Sequence, residues 1–531
     1  MRWTDCENNL LEHVATGDVA YCGPSQGETD GPPLDAGTKR MPFDVDAELI
    51  RWLCVNPAAS KLVDPKGIQL HSARVVGQLD LSYVTVPFPL SFRNSRFVED
   101  INLAYGQLIT FDLSGSHTRG IAAEGLKGTH VYLRDSTVEG EVDLLEANLS
   151  GDLDCEGGTF ENPGKIALGA DGLEAAAVFF DNGFKAEGEV RLIEANLGGE
   201  LDCDGGTFSN QSGYALHADG LKATAILLRK SAAKGRVSVI GADLTANLEC
   251  DGGMFENSGG YALSADGLKA ANVYFRDRFS TEGEVDFPTA DVSGAFEWTN
   301  AAPGHPDAAV LNLTHATAGS LSDDEESWPA QGNLYLDGFV YNHFYGGSPQ
   351  DAQSRLRWLE RQPPGIFTPQ PYEQLAKVLR EDGDDAGART VLIAMETARR
   401  QYGNLSRWER CWSWILYETI RYGYDTWQAL WFIGGFVIFG TVLFFFGRRR
   451  EAITQIDKEW TEHFRPFNPL VYSLETFLPL VDLQQAKHWA PKSEGSTFGR
   501  CLRWYLWLHI LMGWFFTSML IAGITGLVQK G

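Results

Sequence analysis

Cys155, Cys203 and Cys250 recur 48 and 47 residues apart and invite a metal or redox reading. Zinc would need the thiolates to converge within bonds of about 2.3 Å, and a disulfide needs Cα atoms within about 7 Å. Asp171, Asp219 and Asp266 recur at the same period, each followed by glycine. Stacked carboxylates could collect the oxygens that calcium requires. Asp-Gly is also ordinary turn chemistry, and the nonapeptide glycine pattern of calcium-binding repeats is missing. Near the C-terminus, Ser473, Glu475, Thr476 and Asp482 bring polar groups into an apolar region, as a pore or an interface would need. His509 is the one residue of the nearby apolar runs that titrates around neutral pH. No glycine-rich dinucleotide fingerprint, phosphate loop, GxSxG elbow or HExxH accompanies these residues, so no catalytic residue, cofactor or metal ligand is assigned.

The elements that must carry these groups are repetitive. Leu126, Leu149, Leu173, Leu197, Leu221, Leu244, Leu268 and Val292 recur every 23 or 24 residues. A fixed period of that size marks a solenoid, in which each turn contacts its neighbours and stacking builds one core. Gly140-Glu141-Val142, Gly188-Glu189-Val190 and Gly283-Glu284-Val285 set a double period, which divides into two coils of 24 when Gly140, Gly164 and Gly188 are aligned. Apolar residues alternate in short runs such as Val142/Leu144, separated by turns such as Glu156-Gly157-Gly158. That pattern predicts short strands, and the fold class is a right-handed parallel β-helix over 67–345. Cysteines two coils apart would be about 9–10 Å apart, too far for a shared bond, and would fill one core slot. Residues 1–66 supply an N-terminal segment with a helical cap at Asp44–Cys54, and the aromatic-rich stretch 334–345 is expected to close the far end.

Charge separates the two halves. The net charge is −26; residues 1–350 hold 52 Asp and Glu against 23 Lys and Arg, whereas 351–531 hold 18 against 21. An acidic solenoid disfavours nucleic acid and anionic lipid and favours basic partners. Residues 1–40 lack the apolar core of a signal peptide, so the solenoid is expected to stay in the cytoplasm with its eight cysteines reduced.

Beyond the repeats, 366–403 reads as an αα-hairpin similar to one tetratricopeptide unit, carried by Tyr372, Leu375, Ala376, Ala388 and Leu392. Residues 404–426 interleave aromatic and basic residues, as in a segment lying among lipid headgroups. Residues 427–446 and 504–528 are uncharged and long enough to cross a bilayer. The intervening loop, 447–503, carries a short re-entrant or interfacial helix at 468–478, capped by Asn468 and stopped by Pro479. Ser518, Ala522 and Gly526 form a small-residue stripe suited to helix contact. Arg448, Arg449 and Arg450 would place the loop inside, against the cytoplasmic solenoid; the expected topology is multi-pass in the cell membrane with both termini cytoplasmic.

The units Gly-Glu-Val, Leu-Asp-Cys and Ala-Asp-Gly-Leu across 67–300, with the tail from Tyr372 through Asn468-Pro469-Leu470-Val471-Tyr472-Ser473-Leu474-Glu475-Thr476 to the last span, resemble a bacterial membrane-anchored family related to pentapeptide-repeat proteins. Members often carry the label "membrane-associated oxidoreductase", and that resemblance implies redox activity which no residue pattern here supports. A coil of 24 also departs from the 20-residue square coil of typical relatives. The expected function is a non-enzymatic solenoid presenting an acidic surface to a protein partner. The alternatives are a sensor-effector whose spans form an oligomeric pore, and the oxidoreductase of the label.

Overall fold

The computed structural model describes residues 3–23, 40–301, 309–456, 466–492 and 497–525. Its backbone contacts divide the chain into two units. The first is 1–364 with 377–383, and the second is 365–376 with 384–531.

Unit one is a parallel β-solenoid of about 12 turns with roughly 23 residues per coil. At about 4.8 Å per turn the stack rises roughly 55 Å. Every pairing within it is parallel, each short strand bonding to its counterpart one coil away. The register follows one column through Val131, Leu153, Val178, Leu201, Ile226, Leu248, Val273 and Phe296, in steps of 22, 25, 23, 25, 22, 25 and 23 residues.

The coils therefore alternate in length, and the cause is local. Each 25-residue coil contains an eleven-residue strand, Thr159–Gly169, Thr207–His217 or Met254–Ser264. In each, an asparagine amide clamps an excursion by donating to a carbonyl four residues on: Asn162 to Ile166 (2.6 Å), Asn210 to Tyr214 (2.9 Å) and Asn257 to Tyr261 (2.7 Å). The following shorter coil meets the excursion with Gly188, Gly235 or Gly283, at φ between 121° and 135°. A Cβ on Gly188 would lie 2.6 Å from the Asn162 carbonyl oxygen, so only glycine lets the excursion seat. Gly164 is part of an excursion and has no register with Gly188.

Unequal coils also resolve the leucine ladder into two columns. Leu149, Leu197, Leu244 and Val292 share a slot with Ala175, Ala223 and Ala270, whereas Leu126, Leu173, Leu221 and Leu268 precede that column's neighbouring strand residues. All eight are buried. Large and small side chains alternate up each slot, so the layers can interdigitate.

The first turn starts earlier than the repeat suggests. Ala20–Tyr21 pairs with Leu70–His71, and Asp44–Asp46 pairs with Arg74–Val76. Helices α1 (Asp5–His13), α2 (Ala47–Val55) and α3 (Pro57–Ser60) accompany this end. Cys6 and Cys22 form a disulfide, with Cα atoms 4.8 Å apart, so these two cysteines depart from the reduced state expected for all eight. The turn from α1 into the first strand brings them within bridging distance. At the other end, 334–345 forms strands of the last coil, and α4 (Ala352–Leu359) follows. Arg355 of α4 is fully buried. Its guanidinium donates to both oxygens of Asp323 at 2.7 Å and lies 3.7 Å from the Phe344 ring.

Consecutive helices α5 (Gln370–Glu381) and α6 (Asp385–Tyr402) occupy the expected hairpin segment. In unit two, α7 (Arg407–Ile420) covers the aromatic and basic stretch. It is followed by α8 (Gln428–Arg449), α9 (Pro469–Phe477) and α10 (Thr497–Ile524). α8 and α10 are long and apolar enough to cross a membrane, with mean hydropathy of 2.3 and 1.6.

Candidate functional site

The solenoid carries a ladder of arginines, and its spacing exposes one gap. Arg134, Arg229 and Arg276 stand two residues after Tyr132, Leu227 and Tyr274 of the strand column, on alternate coils. Arg276 reaches back to Asp251 (2.7 Å) and forward to Glu297 (3.4 Å). Arg229 does the same with Asp204 through Nε (2.7 Å) and with Glu249 (3.5 Å). Arg134 holds Asp154 through Nε at 2.7 Å. Each guanidinium thus cancels carboxylates of adjacent coils.

The equivalent residue between Arg134 and Arg229 is Asp181, two after Phe179. Its neighbours in the preceding and following coils are Glu156 and Asp202, the carboxylates an arginine there would have bridged. The Asn182 amide donates to Glu156 (2.7 Å) and to Asp181 (2.9 Å), and supplies no charge. Burial first, then repulsion from Asp202 and Glu156, pushes the Asp181 carboxyl up to about 6. Burial also raises Asp202, with the Asp204 charge adding to it.

A second polar cluster lies along the excursions. His217 Nε2 is 2.9 Å from Asp219 and Nδ1 is 3.2 Å from Glu189, while Tyr214 stacks on the ring at 3.9 Å. Burial opposes charge on this imidazole, but the two carboxylates outweigh it and raise its pKa. Ser238 donates to Asp219 at 2.5 Å rather than to His217. Asp219 also accepts from the Ile240 N–H (3.0 Å) and Asp171 from the Ile193 N–H (3.1 Å). Asp266 accepts from the Thr289 hydroxyl at 2.7 Å. These stacked aspartates brace one coil against the next. Among the described residues no group of three His, Cys, Asp or Glu side chains is arranged to hold a metal.

Cys155, Cys203 and Cys250 are fully buried in one slot. Phe180 and Leu228 occupy that slot in the intervening coils, two residues beyond Val178 and Ile226. Burial pushes all three thiols well up, which keeps them protonated and unreactive.

In unit two, α9 is wedged between α8 and α10. Nine residues rise only about 13 Å, less than half a bilayer core of about 30 Å. Glycines cut the notches that receive it: a Cβ on Gly513 would collide with the Phe477 carbonyl, and one on Gly440 with Ser473 and His509. His509 is fully buried. One hydrogen assignment satisfies the whole cluster. The Nε2–H donates to the Ser473 carbonyl (3.1 Å), Nδ1 accepts from the Tyr505 hydroxyl (3.1 Å), and the Ser473 hydroxyl donates to the Val437 carbonyl (2.8 Å).

The other residues expected at a pore or interface separate. Glu475 accepts from the backbone N–H groups of Gln485 (2.6 Å) and Ala486 (3.1 Å), tying α9 to the following turn. Thr476 bonds back to the Tyr472 carbonyl (2.7 Å), and Asp482 pairs on the surface with Lys487. Ser518 is exposed and Ala522 half-buried, while Gly526 lies outside the described residues. The packed face of α10 is instead Leu502, His509, Gly513, Phe516 and Gly523.

Together these features define a class: a parallel β-solenoid joined to a helical unit with two helices of membrane-crossing length. No family model, curated protein or solved structure matches the chain.

Proposed function

We propose that this chain is a membrane-anchored, non-enzymatic solenoid whose acidic flank receives a basic segment of a protein partner. The observation that carries the reading is the ladder gap: Glu156, Asp181 and Asp202 stand on three successive coils where an arginine would otherwise bridge them. A partner arginine entering the gap would complete the pattern that Arg229 and Arg276 make within the chain. The test is titration of the detergent-solubilised chain with an arginine-rich peptide, followed by anisotropy. Affinity should fall at least tenfold in Asp181→Arg, the effect of losing about 1.4 kcal/mol. Unchanged affinity in that variant would sink the reading.

On this proposal the solenoid and both termini face the cytoplasm. The Cys6–Cys22 bridge and Arg448–Arg450 pull the other way. A membrane-impermeant maleimide applied to intact cells separates the orientations, because Cys411 and Cys501 are both exposed and lie on opposite sides of α8 in the chain. Labelling of Cys501 alone supports a cytoplasmic solenoid, and labelling of Cys411 alone overturns it. The α9 wedge supports a second reading, in which several copies of α8–α9–α10 enclose a pore. A monomer in detergent with no ion flux in liposomes would remove it.

A further inference from the structure

Unit two contains a polar cavity of about 570 Å³ at the end where α8 begins and α10 finishes. Its walls include Arg389 and Thr390 of α6, Arg421 after α7, Thr426 and Trp427 before α8, and Ile524 of α10. The two guanidiniums are held from behind. Arg389 Nε donates to the Asp385 carbonyl (3.1 Å), and Arg421 Nε donates to Gln428 (3.1 Å), whose own amide is fixed on the Glu418 carbonyl (2.9 Å). Among the described residues, the terminal N–H groups of both have no hydrogen-bond partner. Asp425 also lines the cavity, and the C-terminal carbonyl end of α10 adds a little negative potential. Two arginines outweigh these; the first N–H groups of α8 are already engaged, with Ala429 donating to the Thr426 carbonyl (3.2 Å) and Leu430 to that of Trp427 (3.1 Å).

Backbone strain sits at the same place. Arg421 and Tyr422 are both left-handed, with φ of 44° and 58°, and Tyr422 is buried. Such conformations cost on the order of 1–3 kcal/mol each and persist where surrounding structure requires them. Here the kink turns Arg421 into the cavity wall.

We infer that this cavity binds the phosphate of an anionic phospholipid headgroup. The inference rests on α8 and α10 crossing the bilayer. Their ends then set the cavity at headgroup depth, where Trp427 (67% exposed) fits the interfacial aromatic belt. Acyl chains would lie along the outward faces of the helices, where Leu430 and Trp431 are exposed. A free phosphate would share the arginine chemistry but gain nothing from that apolar flank.

The experiment uses the full chain in nanodiscs of phosphatidylcholine with a minor fraction of phosphatidylglycerol, reading lipid retained after detergent extraction by native mass spectrometry. Wild type should retain phosphatidylglycerol selectively. Arg389→Gln with Arg421→Gln should weaken that retention about thirtyfold, at roughly fivefold per arginine near an anionic surface. Thr390→Trp, which fills the cavity at an exposed helix position without changing charge, should weaken it as well. Lys222→Gln with Lys269→Gln removes two exposed solenoid charges that do not line the cavity and should leave it within about twofold. Equal retention of both lipids, or no loss in the double and plug variants, overturns the inference. So does displacement by inorganic phosphate at matched headgroup concentration, which would assign the site to the free anion. Flotation of the same variants with liposomes tests bilayer insertion separately, so a failed anchor is distinguishable from a failed site.

Discussion

Replacing Asp181 by arginine should stabilise the solenoid while abolishing its proposed binding. The Asp181 carboxyl is held near 6, about two above the ordinary value of an aspartate. At 1.36 kcal/mol per pKa unit the ceiling is about 3 kcal/mol of repulsion and desolvation relieved at pH 7.5. The side chain is only partly buried, so solvent screening cuts this to about 1 kcal/mol. New pairs with Glu156 and Asp202 should add roughly 0.2–1 kcal/mol each. The expected gain is thus on the order of 2 kcal/mol, read as slower amide hydrogen exchange across 150–210 in the full chain. The pH dependence has a definite sign. A carboxylate whose folded pKa is raised contributes stability that is full below its unfolded value near 4 and lost as pH rises through about 6. Asp181→Asn should therefore protect these coils at pH 7.5 and do little at pH 4.5. Equal protection at both pH values, or none for Asp181→Arg at pH 7.5, would refute the ladder argument.

Other perturbations test other joints. His217→Gln should lose about 2 kcal/mol at pH 6, where the imidazolium is clamped between carboxylates, and progressively less as pH rises through its raised pKa; a denaturant midpoint measured across pH checks this. Arg355→Met should cost about 3–5 kcal/mol by leaving Asp323 buried without its cation, visible as early exchange of the last coils. Gly513→Val should drive α9 out of its notch and cost at least about 1–3 kcal/mol, seen as a lower midpoint in detergent with the solenoid's exchange pattern unchanged.

Fold class was legible because a solenoid writes its geometry as a period. Inward slots are occupied by Leu, Val, Cys and Phe at recurring intervals, and no long-range information is needed to see them. What a single period could not show is that it averages coils of 25 and 22 or 23 residues. The excursion depends on Asn162, Asn210 and Asn257 closing on their own chain and on glycines receiving them one coil later, a contact across neighbours that spacing alone does not reveal. The arginine gap, in contrast, was present in the sequence. Arg134, Asp181, Arg229 and Arg276 fall at intervals of 47, 48 and 47 residues, with a carboxylate at the second place. It becomes meaningful only when the register shows which carboxylates each arginine bridges.

The helical half was legible by length and less so by face. Hydropathy marks α8 and α10, but the lipid-facing surface of such a helix is as apolar as its packed one, so periodicity does not tell them apart. The stripe Ser518, Ala522 and Gly526 fits helix contact as well as Gly513 and Gly523 do by composition. Gly513 is chosen because the C-terminal carbonyl of a short helix must seat somewhere, and only a missing side chain admits it. His509 follows from the same constraint. Once α9 is wedged between α8 and α10, its buried Ser473 carbonyl needs a donor, and the imidazole N–H one turn before Gly513 supplies it. Substituting His509 by leucine should therefore loosen α9 without affecting insertion of the spans. Protease nicking within 466–492 at unchanged liposome flotation would be the signature, and a variant as resistant as wild type would mean that the Ser473 carbonyl finds another partner.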